Sequence, residues 1–304
     1  MLDLAKFSNH KDLHGAGLGE VLFDVFGDDS KLGGAPANFA FHCAQLGLSC
    51  SVISAVGKDS LGNRAKKELH DYGLDTSFIA ETDYPTGKVD IKLDSQGVAH
   101  YEFLDNTAYD NIPYTDEIEK LAKKTNVVCF GSLAQRNDAS RKTIHSFLEN
   151  MPENLRLRVF DVNLRCNFYT KEIIESTLKL SEIFKCNEDE LPILAQLLNL
   201  PDNPDDFYQS LRSGYAIDGL IFTKGSIGSL VYLNEEKSEL PSQKVTVVDT
   251  VGAGDSFTAT LITSLVKGMT LRQAHELAVR VSGFVCTCKG AMAKLPEELT
   301  KAVA

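Results

Sequence analysis

The run Asp249-Thr250-Val251-Gly252-Ala253-Gly254-Asp255-Ser256-Phe257 places two kinds of chemistry side by side. It follows an apolar stretch, Lys244–Val248, whose pattern predicts a strand, and it opens a helix predicted through Lys267. Two glycines around an alanine allow a tight turn with no side chain in the path of a ligand. The first amides of the helix lack intrahelical acceptors and lie at the positive end of the helix dipole, which suits an anion. Asp255 sits in that same first turn, where a carboxylate opposes static anion binding. The pairing makes sense if Asp255 accepts a proton from a hydroxyl while the amides hold the charge of a transferring phosphoryl group. The helix N-terminus is expected to keep that carboxylate ionised. A carboxylate that only caps the helix is the competing reading.

Other segments offer partners for this chemistry. Gly33-Gly34-Ala35-Pro36-Ala37-Asn38 is a second glycine-rich turn leading into a helix, and Asn38 brings both a donor and an acceptor. Asp24 ends the alternation Gly19-Glu20-Val21-Leu22-Phe23-Asp24, where a carboxylate could accept from two vicinal hydroxyls; a solvated surface Asp is the bland alternative. In Asp161-Val162-Asn163-Leu164-Arg165, an extended chain would set Asp161, Asn163 and Arg165 on one side of a strand end. Arg165 suits a carboxylate or phosphate, or it pairs with Asp161. Asn187-Glu188-Asp189-Glu190 either orders waters around Mg²⁺ or caps a helix. Thr223-Lys224-Gly225, with Gly228 beyond, is a further glycine turn at a strand end.

The elements between these segments alternate. Ser51–Gly57, Val127–Gly131, Leu157–Val162, Ile183–Cys186 and Gly219–Thr223 read as strands, as does Lys244–Val248. Pro36–Leu46, Leu61–Tyr72, Asp116–Thr125, Ala139–Asn150, Lys171–Ser181 and Glu188–Leu198 carry helical periodicity, followed by two consecutive helices, Ala253–Lys267 and Leu271–Thr287. Alternating β and α predicts a mostly parallel, doubly wound α/β sheet with helices on both faces. Thr86–Phe103 breaks the pattern and reads as a hairpin, with Asp94-Ser95-Gln96-Gly97 as its turn, beside a short extended piece at Val21–Phe26. Asp12–Leu18 is polar and glycine-rich, so the sequence does not establish a regular strand there.

Together these residues resemble the PfkB (ribokinase-like) family of carbohydrate kinases, nearest its fructokinase branch. The resemblance rests on Gly33-Gly34 with Asn38 and on Asp249-Thr250 with Gly252-Ala253-Gly254-Asp255, and it runs from about Gly19 to the C-terminus. It implies a ribokinase-like three-layer α/β/α fold over residues 1–304, with a small β lid from about 21–33 and 86–105. It implies Asp255 as catalytic base, an anion hole at Gly252, Ala253 and Gly254, and a sugar site of Asp24, Gly33, Gly34 and Asn38, with Asn163 and Arg165 at the strand end beside it. Asn187 and Glu190 match an element that orders Mg²⁺ through water. Thr223, Gly225 and Gly228 would line the ATP site, with Ser282 near the adenine. The loop at Asp249 would be the place for a monovalent cation such as K⁺. The lid would be the surface of a homodimer. Fructose is the leading acceptor; 2-keto-3-deoxygluconate, ribose or a nucleoside are alternatives, and so is a non-catalytic regulator on the same fold.

Composition excludes other classes. The chain has 304 residues and a net charge of −11, which argues against a nucleic-acid partner. No apolar run is long enough for a membrane span, and Met1–His14 has no apolar signal core, so a cytoplasmic protein is expected. The seven cysteines form no zinc spacing; most are expected as buried thiols, and Cys286 and Cys288 are read as core. Gly15-Ala16-Gly17-Leu18-Gly19 lacks the dinucleotide spacing, and no Walker-type phosphate loop is present.

Overall fold

The computed structural model describes residues 1–303 other than 11, 28 and 94–98. Its strands are β1 (His14–Leu18), β2 (Leu22–Phe26), β3 (Asp29–Gly33), β4 (Ser49–Gly57), β5 (Ile79–Thr82), β6 (Gly87–Leu93), β7 (Ala99–Phe103), β8 (Val127–Phe130), β9 (Leu157–Asp161), β10 (Ile183–Asn187), β11 (Gly219–Lys224), β12 (Gly228–Leu233) and β13 (Glu236–Pro241). Its helices are α1 (Ala5–Ser8), α2 (Ala35–Gln45), α3 (Ser60–Asp71), α4 (Asp116–Ala122), α5 (Asp138–Glu149), α6 (Lys171–Leu178), α7 (Glu190–Leu198), α8 (Pro204–Tyr215), α9 (Ala253–Val266), α10 (Leu271–Val285) and α11 (Glu297–Thr300). Among the described residues none of these helices is long and apolar enough to cross a membrane.

Nine strands form the main sheet in the order β13-β12-β11-β10-β9-β8-β1-β4-β5. The pairs from β5 to β11 are parallel, and β12 and β13 close one edge antiparallel. Successive residues of its inner strands enter opposite cores. Val127 and Cys129 pack with α2, α3, α9 and α10, whereas Val128 and Phe130 pack with α4 to α8. Burial on both faces is why these strands read as continuous apolar runs. The chain leaves β1 toward β4 on one side and reaches β8 on the other. Crevices at the C-terminal ends of strands around such a reversal are where open α/β sheets bind ligands.

β1 corrects the sequence reading: Asp12–Leu18 contains a central, buried strand. Its glycines answer a packing demand that hydrophobicity does not reveal. A Cβ on Gly17 would lie 1.9 Å from the Pro36 carbonyl oxygen, so only glycine lets α2 rest on the strand. Lys244–Val248 is the opposite case, an apolar run that is not a strand. Its end is bonded to a helix instead: the amides of Val248 and Asp249 donate to the Cys286 carbonyl at the end of α10, at 2.8 and 3.3 Å. Val247 is 59% exposed and lines a cleft. Cys286 and Cys288, expected in the core, are half-buried.

A second sheet, β3-β2-β6-β7, stands apart from the first. The expected hairpin turn at 94–97 falls outside the described residues; the strands on either side of it pair antiparallel. Both ends of this excursion are fastened to the main body. At its start, Thr86 donates its amide and hydroxyl to Asp59 (2.9 and 2.7 Å). Beyond its end, Arg136 grips Asp110 with two bonds of 2.7 Å, holds the Leu104 carbonyl, and stacks on Phe168. The β2–β3 strands hang from β1 and α2, so the second sheet is held where the C-terminal edge of the main sheet begins. Gly17→Ala is expected to lower stability by about 3 kcal/mol or more, because backbone rather than a side-chain tip blocks the methyl. Equilibrium urea unfolding measures this, and an unchanged midpoint would refute the described packing of α2 on β1.

Candidate active site

Gly252 begins the site. It caps α9 at φ 77°, a left-handed conformation, and a Cβ there would sit 2.5 Å from that of Ala291. The turn uses the Ala253 amide itself, which donates to Thr250 at 3.2 Å, and Ser256 donates to Gly252 at 2.8 Å. Of the expected anion hole this leaves the amides of Gly252 and Gly254, with that of Asp255 beside them at the open helix start.

Asp255 accepts a 2.7 Å hydrogen bond from Asn38 Nδ2, which joins α9 to α2 across 217 positions of sequence. Burial, and after it the charge of Asp161, push Asp255 up to about 6, against the Asn38 bond and the charges of Lys185 and Arg165. The helix start therefore does not hold this carboxylate at an ordinary value. It stays ionised at neutral pH but within reach of its titration.

Beneath it lies a pair that sequence reasoning missed. Lys185 and Asp161 face each other in the β9–β10 register, 2.9 Å apart, with exposures of 6% and 3%. Burial works against the ammonium, but Asp161 and Glu190 outweigh it and hold Lys185 above the ordinary lysine value. A Cβ on Gly254 would lie 3.6 Å from Lys185 Nζ, so this cation sits directly under the helix start. The available signal was a lysine inside the apolar strand Ile183-Phe184-Lys185-Cys186: such a residue needs a buried carboxylate.

The strand-end residues are arranged differently from the period-2 expectation. β9 stops at Asp161, and Asn163 turns left-handed at φ 42°. Asp161 goes to Lys185 rather than Arg165. Arg165 is exposed, donates only to the Leu164 carbonyl at 3.1 Å, and acts electrostatically on Glu20, Asp24 and Asp255. Asn163 lies in the turn between these groups. Asp24 on β2 stands opposite Lys31 of β3, and a Cβ on Gly33 would come within 3.2 Å of its carboxylate. Burial raises Asp24, while Arg165 and Lys31 oppose the rise. Gly34 adopts φ 124° where any Cβ would strike the Glu20 carbonyl at 2.3 Å. Gly33 abuts Asp24, Arg165 acts on both Asp24 and Asp255, and Asn38, one turn past Gly34, bonds Asp255.

Beside the start of α9 is a cleft of about 710 Å³. Asn187, Thr223, Gly225, Gly228, Ala253, Gly254 and Ser282 line it, together with Lys185, Gln243, Val245, Val247 and Cys286, which the sequence did not single out. Glu190 lies behind this wall. Its two oxygens accept from the amides of Leu164 (2.8 Å) and Asn187 (2.9 Å), tying the ends of β9 and β10 together. Asn187 Oδ1 accepts from Asp189 and Glu190 at the start of α7, so the capping role expected as the alternative is present. Asp249 accepts from Val251 and Gly290 (3.1 Å each) and pairs with Lys31 at 3.7 Å.

The profile of the "pfkB family carbohydrate kinase" matches residues 12–298. The ATP-dependent 6-phosphofructokinase of Thermoanaerobacterium thermosaccharolyticum is 29% identical, over 92% of this chain and 90% of its own. The fructokinase of Salmonella typhimurium is 28% identical, over 92% and 95%. The structure of an uncharacterized sugar kinase from Pyrococcus horikoshii in complex with ATP superposes with a TM-score of 0.81 at 27% identity, covering 96% of this chain and all of that one. The fold is therefore ribokinase-like, as the two glycine turns implied.

Lys185→Met strands Asp161 as an unpaired buried charge and is expected to cost roughly 3–5 kcal/mol in urea unfolding. Adding Asp161→Leu should restore a large part of that loss; no recovery in the double variant would show that the pair is not the source.

Proposed function

This chain belongs to the pfkB family of carbohydrate kinases and is a phosphotransferase; within that activity we propose that it moves the γ-phosphoryl group of ATP to a hydroxyl of a small sugar, fructose first among the candidates. The observation that carries the reading is the Asn38–Asp255 hydrogen bond. It joins a base at an open helix start to a pocket rich in acceptors, with a nucleotide-sized cleft beyond.

In this reading the acceptor lies among Asp24, Gly33, Gly34, Asn38 and Arg165. Carboxylates and an amide suit a polyol, whose hydroxyls donate. Asp255 takes the proton of the attacking hydroxyl as that oxygen bonds to the γ-phosphorus and ADP leaves. The amides of Gly254 and Asp255, with Lys185 beneath them, face the transferring charge. ATP occupies the cleft along Asn187, Thr223, Gly225 and Gly228, with Ser282 at its far wall. A magnesium ion on the phosphates would neutralise their charge. The donor set fits an ion held mainly by phosphate and water. No group of three or more His, Cys, Asp or Glu suited to a metal occurs among the described residues, Glu190 already serves two amides, and Asn187 lines the cleft. The loop of Asp249, closed on Gly290, is the proposed place for K⁺.

The second sheet serves as the lid of this single domain. Phe26 and Tyr101, exposed on it, offer a surface to a second copy of the chain. The seven unpaired thiols and the use of ATP suit the cytoplasm. A second acceptor class has one observation in its favour: the exposed guanidinium of Arg165 and the ammonium of Lys31 both act on Asp24, which suits a sugar phosphate.

ADP release from ATP·Mg²⁺ is the test, with fructose, fructose 6-phosphate, ribose, 2-keto-3-deoxygluconate and adenosine as acceptors. Turnover is expected to be highest with fructose and to fall by at least about a thousandfold in Asp255→Asn, the loss of base and charge together. Silence across the panel from a protein that still binds ATP would favour a regulator. The base must be ionised, so kcat/KM should rise with pH through an acid limb near 6 and be lost below it. A profile flat from pH 5 to 7 would remove Asp255 as the base.

A further inference from the structure

Glu20 follows β1 at the point where the chain turns into the second sheet, and the mechanism above leaves it without a task. It is 2% exposed, and its Oε2 is buried with no hydrogen-bond partner among the described residues. Asn38, 3% exposed, has the same deficiency at Oδ1. Two orphaned acceptors in one neighbourhood require an explanation. They do share a neighbourhood: the Glu20 carbonyl abuts Gly34 at the start of α2, the Ala35 amide acts on the Glu20 carboxylate, and Asn38 lies one turn further, its amide bonded to Gly34. Asp255 is near both: its charge acts on Glu20, and it accepts the 2.7 Å bond from Asn38.

Asn38 can give Nδ2 to Asp255 only by turning Oδ1 the other way, where it needs a donor. An ionised Glu20 has none to offer. We propose that Glu20 carries a proton in the working enzyme and donates it as a hydrogen bond from Oε2 to Asn38 Oδ1, which locks Asn38 with Nδ2 on Asp255. Glu20 is then a positioning residue for the base, acting through Asn38. One proton satisfies both orphans and relieves the repulsion between Glu20 and Asp255.

The electrostatic surroundings agree. Burial raises Glu20 to about 7, with Asp255 adding to the rise; the amides of Glu20 and Ala35 and the Arg165 guanidinium oppose it, and Tyr109 on the remaining side is a neutral phenol at these pH values. Loss of the proton as pH climbs past 7 would set two acceptors against each other and loosen Asn38.

The inference rests on the kinase reading, and the experiment separates the two. Wild type, Glu20→Gln and Glu20→Leu are compared in phosphoryl transfer to the best acceptor from pH 5.5 to 9. A glutamine keeps a donor that no longer titrates. Glu20→Gln should therefore keep turnover within about threefold of wild type at pH 6.5 and lose the alkaline fall near 7, whereas Glu20→Leu should lose more than tenfold in kcat with a smaller change in KM for ATP. Glutamine as damaging as leucine, or an alkaline limb absent from wild type or unchanged by the glutamine, overturns the proposal. Carboxyl-¹³C NMR of glutamate-labelled protein supplies a readout independent of catalysis. One resonance titrating near 7 in wild type and missing in Glu20→Gln supports the assignment even without an active acceptor or a foldable leucine variant. No such resonance defeats it.

Discussion

Lys185 is the charge on which the centre of this molecule depends. Asp161, Glu190 and Asp255 all act on it, from the C-terminal end of β9 and from the starts of α7 and α9. Burial raises both Glu190 and Asp255, and the charge of Lys185 opposes the rise in each. Asp161 is paired with it, the rise of Asp255 to about 6 is opposed by it, and its ammonium lies under the start of α9. A buried pair adds little to stability by itself, since both ions give up hydration. Its value here lies in where it fixes charge.

The helices above that pair approach only because specific side chains are missing. Gly17 admits the backbone of α2 against β1, Gly34 lets α2 begin beside Glu20, and Gly252 turns the chain into α9 against Ala291. These three close approaches bring Asn38 and Asp255 into hydrogen-bond contact from opposite ends of the sequence. Interiors are close-packed, so a methyl at any of these points would move a whole helix rather than a single atom. The glycines that look like ligand-binding turns are as much packing devices.

The two sheets divide the work. The parallel sheet supplies strand ends with fixed charges, and the second sheet carries Asp24 and Lys31 over the rim. Lys31 pairs with Asp249, so the second sheet and the α9 turn already touch through an ion pair. That pair is partly exposed and therefore weak. Asp59 with Thr86, and Arg136 with Asp110, hold the roots of the excursion through buried or short bonds instead.

The chain's local patterns determined the α/β alternation, both glycine turns and the identity of Asp255, because periodicity and a turn followed by a helix are local properties. They also placed Asn187, Thr223, Gly225 and Gly228 at strand ends, the cleft's wall. Patterning failed where neighbours decide. Gly15 and Gly17 hide a central strand because the space for their side chains is taken by Cys50 and Pro36. Lys244–Val248 has a strand's composition, yet the Val248 amide at its end bonds to the end of α10 rather than to a strand. Arg165 looked like a partner for Asp161 by spacing, yet the parallel register handed Asp161 to Lys185 on the next strand. The tertiary structure alone decided the Lys185–Asp161 pair, the raised carboxyls of Asp255 and Glu20, and the contact of Asn38 with Asp255. Each depends on desolvation and on partners brought together from distant parts of the chain, and neither quantity exists until the chain has folded.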